Sequence, residues 1–105
     1  MSPFNTIKLF AKCFVLSLPL WGNSTAQVSG IYFVVDDEGE IIYVGKSVNL
    51  AKRIRIQQRN YPKERFLWKK KESPYYDLLS EESFWISVLR PKYNRTINCG
   101  LNYER

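Results

Sequence analysis

The chain contains no histidine, which removes the usual neutral-pH proton carrier and the commonest metal ligand. Any general acid or base must therefore be a tyrosine, lysine, glutamate, aspartate or water. Cysteine is scarce too. Cys13 and Cys99 are too few for a disulfide scaffold or a four-ligand zinc site. Free thiols in a reducing cytosol are the expectation, with a single bridge as the alternative. The apolar run at 13–21 is far too short to span a bilayer, so no stable membrane association is expected. Acidic residues are in the minority: 10 Asp and Glu against 16 Lys and Arg, a net charge of +6. That balance, with 15% aromatics, favours an anionic partner, nucleic acid first, over a merely solvated basic surface. At 105 residues there is room for one modest core and little more.

What is there is organised around Ser29–Arg53. Two apolar runs, Ile31–Val35 and Ile41–Val44, flank the acidic turn Asp36–Glu40 and predict a β-hairpin. Each run carries a tyrosine near a glycine, in Gly30-Ile31-Tyr32 and Tyr43-Val44-Gly45. If Val35 pairs with Glu40, Tyr32 lies directly opposite Tyr43 and the two share a face; a one-residue slip would separate them. Both strands are apolar at nearly every position, so helices are expected against the sheet. Asn49 is placed to cap a helix over 48–60. In it Leu50, Arg53, Ile54 and Gln57 follow the i, i+3, i+4, i+7 spacing of one side.

Residues 65–68 read as a third strand, running into Lys69-Lys70-Lys71. With Lys63 and Arg65 these lysines form a basic segment able to track a phosphate backbone. The alternative is protection of a sheet edge. Residues 75–89 read as a second helix with the stripe Tyr75, Leu78, Leu79, Glu82, Trp85, Ile86, Leu89. Glu81 falls on the solvent side of the same wheel. A carboxylate inside an apolar stripe is costly unless paired, hydrogen-bonded or bound to a metal. Glu82 is thus the clearest physical clue to a site, with a salt bridge to Arg53 or a lysine as the plain alternative.

The two tripeptides, with ten residues between their tyrosines, and the trailing Lys46, Asn49-Leu50 and Arg53 resemble the GIY-YIG nuclease family. Glu82, Ile86, Pro91 and Asn94 match the family's helix glutamate, the apolar residue four positions on, and its Pro-x-x-Asn ending. The resemblance covers about Gly30 to Asn94. The elements read along the chain give an α+β fold, GIY-YIG-like, a small three-stranded antiparallel sheet flanked by helices in the order β-β-α-β-α. The resemblance implies hydrolysis of phosphodiester bonds in DNA with one divalent ion, Mg²⁺ or Mn²⁺. Glu82 would hold the metal, Arg53 and Lys46 would bind phosphate, Tyr32 and Tyr43 would activate or position water, and Asn94 would orient phosphate or tyrosine through its amide. One departure is Gln57-Gln58, standing where many members carry a histidine or tyrosine; glutamine cannot shuttle a proton near neutrality. The competing reading is a weak or inactive nucleic-acid-binding module of the same fold.

The expected division is a leader over 1–28, a nuclease-like domain over 29–96 and a polar tail over 97–105. The leader carries Lys8 and Lys12, the apolar run interrupted by Pro19, and Ser24-Thr25-Ala26, which imitates a secretory signal. Packing of its apolar side chains on the domain, in a cytoplasmic protein, is expected instead, with secretion as the minority reading. No second DNA-binding module fits, so a second copy or a partner protein would add to whatever specificity the basic segment provides.

Overall fold

The computed structural model describes residues 3–22, 27–72 and 77–94. The elements run α1 (Pro3–Leu16), β1 (Gly30–Val35), β2 (Ile41–Ser47), α2 (Leu50–Asn60), β3 (Arg65–Lys70) and α3 (Leu78–Leu89). The three strands form one antiparallel sheet in the order β2-β1-β3, the α+β architecture expected, preceded by one more helix. Cys99, the 97–105 tail, Tyr75 and Ser24-Thr25-Ala26 lie outside the described residues; Cys13 is an exposed free thiol.

Because β1 is central, all six of its residues are buried, and alternation divides them between two cores. Ile31, Phe33 and Val35 pack with Val44, Leu67, Val15 of α1, and Trp85 and Leu89 of α3. Tyr32 and Val34 pack with Ile42, Phe66 and the α2 residues Leu50, Ala51 and Ile54. Phe14 of α1 stacks on Trp85 at 5.6 Å. The segment after α1 runs along β3, where the Trp21 N–H donates to the Phe66 carbonyl (2.7 Å) and the Trp68 N–H to the Pro19 carbonyl (3.2 Å).

The hairpin register differs from the expected one. Val35 pairs with Ile41, not Glu40, and an irregularity between Val34 and Val35 leaves Tyr32 opposite Gly45 and Tyr43 opposite Val34. Asp36 sets the longer connection: its Oδ1 accepts from the Glu38 N–H (3.0 Å) and the Glu40 N–H (2.9 Å). A slip of two residues preserves the face, so the tyrosines sit diagonally on the same side. This register explains both glycines. A Cβ on Gly45 would lie 2.6 Å from Tyr32 Cε1 and closer still to Cζ and Oη. A Cβ on Gly30 would overlap the Lys69 carbonyl oxygen of β3.

Asn49 caps α2 as its sequence predicts, its side chain accepting from the Lys52 N–H at 3.2 Å, worth about 1 kcal/mol. At α3 three expectations fail. Asp77 caps the helix, so it begins at Leu78, and Leu79 is 57% exposed because Trp85 and Leu89 set the inward face. Glu81, expected toward solvent, instead reaches Lys69 at 3.0 Å and accepts from Trp85 Nε1 at 3.4 Å.

Candidate active site

Tyr32 stands at the centre. Its ring is 1% exposed, lying between Tyr43 (centroids 6.1 Å) and Phe66 (6.2 Å), and its hydroxyl accepts from Gln57 Nε2 at 3.1 Å. Gln57 is one turn after Arg53 on α2, so the helix brings both toward the tyrosine, as the periodicity implied. Arg53 itself is exposed. Burial pushes the Tyr32 phenol well above the ordinary tyrosine value, and Tyr43 and Glu82 add to this, while Gln57 and Arg53 pull the other way. Tyr32 is consequently a neutral hydrogen-bonding group at physiological pH. Tyr43 is only half-buried.

Lys46 and Glu82 approach from the other face. Lys46 and Lys69 are both cross-strand partners of Ile31, so the two lysines flank it in one row across the sheet. Above that row, consecutive glutamates of α3 come down: Glu82 meets Lys46 at 3.5 Å and Glu81 meets Lys69 at 3.0 Å. Trp85 and Leu89 seat α3 in the core, and the two ion pairs tie its N-terminal half to β2 and β3. The salt bridge weighed as the plain alternative for Glu82 is therefore present, with Lys46 and not Arg53 as partner. It is a loose pair, and the Glu82 side chain retains 18% exposure. Among the described residues no group of three His, Cys, Asp or Glu gathers for a metal.

Asn94 has a different task from the one expected. It is 3% exposed, its Oδ1 accepts from the Val44 N–H at 2.8 Å, and its Nδ2 donates to the Val44 carbonyl at 3.0 Å. The amide is thus spent on the backbone between Tyr43 and Gly45, with the Tyr93 N–H donating to the Ile42 carbonyl at 3.0 Å beside it. Together they close the outer edge of β2. Asn94 reaches the tyrosine only by holding its strand.

In the basic segment, Lys63, Arg65 and Lys70 are exposed and Lys71 is half-buried. Lys69 is drawn inward to Glu81 and Glu72 (3.0 and 3.3 Å), so it does not join the others at the surface. β3 extends to Lys70, which puts two of the three lysines within a sheet-edge strand.

Tyr61, in sequence one of the aromatics near the basic segment that could stack on bases or fill the core, and Tyr93, which no motif marks, also belong to this face. Their rings continue the row, Tyr43 to Tyr61 at 6.0 Å and Tyr61 to Tyr93 at 5.8 Å. Nothing periodic joins positions 43, 61 and 93; only the fold does. Burial, then Tyr43, Tyr93 and Glu64, push the Tyr61 phenol up to about 12. Tyr32 and Tyr61 both hold their protons more tightly folded than unfolded. The stability they confer is complete below pH 10, the ordinary tyrosine value, and declines as pH rises above it, the Tyr61 share being lost as pH passes about 12. Urea midpoints measured across that range should fall, and less steeply in Tyr61→Phe.

A family model described as the UvrC-like GIY-YIG domain matches residues 28–95. Among curated proteins, the chain is similar to UvrABC system protein C of Caldicellulosiruptor saccharolyticus, 38% identical over 85 residues, covering 71% of this chain and 14% of the relative. It is similar also to UvrABC system protein C of Legionella pneumophila, 39% identical over 84 residues (70% and 14%). The protein of the same name from Dictyoglomus thermophilum is 31% identical over 96 residues (88% and 16%). The chain thus spans about one-seventh of the length of these relatives. Among the described residues, no helix is long and apolar enough to cross a membrane.

Proposed function

This chain belongs to the UvrC-like GIY-YIG family, and we propose on that footing that it is an endonuclease hydrolysing phosphodiester bonds in DNA. The observation that carries the reading is the shared face of Tyr32 and Tyr43 beside the helix that carries Arg53 and Gln57. Arg53 offers a planar fork to the non-bridging oxygens of the scissile phosphate, and Lys46 a second cation. Tyr32, kept neutral by burial and accepting from Gln57, donates its own proton in a hydrogen bond to phosphate or water. Tyr43, nearer solvent, positions the attacking water and in its phenolate form takes the water's proton. Gln57 accordingly orients Tyr32 and needs no proton chemistry of its own.

One carboxylate with a loosely held lysine fits a magnesium site, because that ion keeps several waters and needs few protein ligands. Glu82 would hold it. When bound, the ion supplies charge neutralisation on phosphate and a more acidic water. The exposed cations Lys63, Arg65 and Lys70, with Lys71, track the backbone. The relatives' name speaks of a UvrABC system, and a partner protein, or a second copy, is proposed to supply specificity in a cytoplasmic setting.

The Glu82–Lys46 pair favours one other reading, a binding module without catalysis. The two separate in one experiment with supercoiled plasmid. An endonuclease nicks it only with Mg²⁺ or Mn²⁺. A silent module shifts it in a gel, weakening steeply with salt, and leaves it intact.

A further inference from the structure

At the outer end of the tyrosine row lies a cleft of about 310 Å³ lined by Asn60, Tyr61, Pro62, Lys63, Glu64 and Tyr93. We propose that this cleft takes one unstacked nucleobase next to the scissile phosphate, making the chain selective for duplexes interrupted by an unpaired nucleotide. The proposal rests on the nuclease reading for its geometry and names the substrate class of that site.

Two chains of contact join the cleft to Tyr32. One is aromatic, Tyr93 to Tyr61 to Tyr43 to Tyr32, with centroids 5.8, 6.0 and 6.1 Å apart. The other is hydrogen-bonded. Asn60 Nδ2 donates to Gln57 Oε1 at 2.8 Å, and Gln57 Nε2 donates to the Tyr32 hydroxyl at 3.1 Å. An occupant of the cleft would therefore touch both chains that end on the reacting side of the sheet.

The walls fit a base. Tyr93 is 44% exposed, a large aromatic surface to leave in water, yet it is rigidly placed. Its N–H is held by Ile42 and its neighbour Asn94 clamps Val44. Tyr61 stays a neutral phenol, its proton held up to about pH 12. Glu64 presents an acceptor of the kind that reads exocyclic amino groups. Lys63 supplies positive charge at the rim, and the Lys92 ammonium sits over the Tyr93 ring at 5.1 Å. That exposed cation–π contact is weak, and a base taking its place frees Lys92 for the adjoining phosphate. A paired base offers no face to such a cleft; only one that has left its stack does.

The test uses two duplexes of one sequence, one carrying a single unpaired 2-aminopurine and the other pairing it with thymine. With the full chain in chelator, the interrupted duplex should bind at least ~10-fold more tightly, with 2-aminopurine fluorescence quenched by stacking on tyrosine. With Mg²⁺, cleavage should fall beside the unpaired nucleotide. Tyr93→Ala should reduce the binding preference to about twofold or less, and Tyr93→Phe, which keeps the ring, should retain it. Equal affinity and unchanged fluorescence on the two duplexes would overturn the proposal, as would a preference that survives in folded Tyr93→Ala. Absence of cleavage on both duplexes with the preference intact would support the cleft and overturn the nuclease reading instead.

Discussion

Gly45→Ala is expected to lower the melting temperature by roughly 5–15 °C and to remove activity at the same time. The added methyl falls on the Tyr32 ring, which has no direction in which to retreat. Phe66 and Tyr43 lie beside it, Gln57 holds its hydroxyl, and the strand beneath is the centre of the sheet. Overpacking of this kind costs about 1–3 kcal/mol and occasionally more, and each kcal/mol moves the midpoint of a domain this size by about 4–8 °C. The second loss follows from the first, because the only relief is to displace the tyrosine or shift the register of β2. Gly22→Ala is the control: nothing lies within 4 Å of a Cβ there, and thermal denaturation should barely change. If Gly45→Ala melts with the wild type, the hairpin register described above is wrong.

Glu82→Gln should behave in the opposite manner, leaving the fold alone and removing the chemistry. The side chains of the Lys46–Glu82 pair are 39% and 18% exposed and their contact is 3.5 Å long, so its share of stability is small. Glutamine keeps the shape and gives up the charge that would hold a divalent ion against phosphate. Cleavage under single-turnover conditions should fall at least ~10²–10³-fold, the cost of removing one electrostatic anchor from such a site. Binding in chelator should weaken little or even tighten, since an anionic side chain has been neutralised beside a polyanion. A variant that cleaves at the wild-type rate would take Glu82 out of the mechanism and leave it as the partner of Lys46.

The parts of this molecule that could be read from sequence are those governed by short-range rules. The hairpin strands, the Asn49 cap and the third strand follow from local composition. Glu82 was conspicuous because a helical stripe makes one charged position anomalous. The parts that could not be read depend on residues far apart in the chain. Neither the one-residue longer connection held by Asp36 nor the irregularity between Val34 and Val35 could be seen, and together they shift the register by two, so Tyr32 was placed opposite Tyr43 when it faces Gly45. The inward turn of Glu81 needs Lys69 on another element. Asn94 finds Val44 fifty positions away, so its motif was visible while its task was not. The tyrosine row joins positions 43, 61 and 93, with no spacing rule to reveal it.

The central claim is that the tyrosine face, Arg53 and Glu82 together hydrolyse a phosphodiester with a divalent ion. It is tested most directly by incubating purified intact chain with supercoiled plasmid across a magnesium titration, beside a chelated sample and Glu82→Gln prepared identically. Nicking that rises with magnesium in the wild type, disappears in chelator and is lost in Glu82→Gln is the predicted result. Equal nicking by all three samples, or none at any magnesium concentration from a folded chain that binds the plasmid, would contradict it.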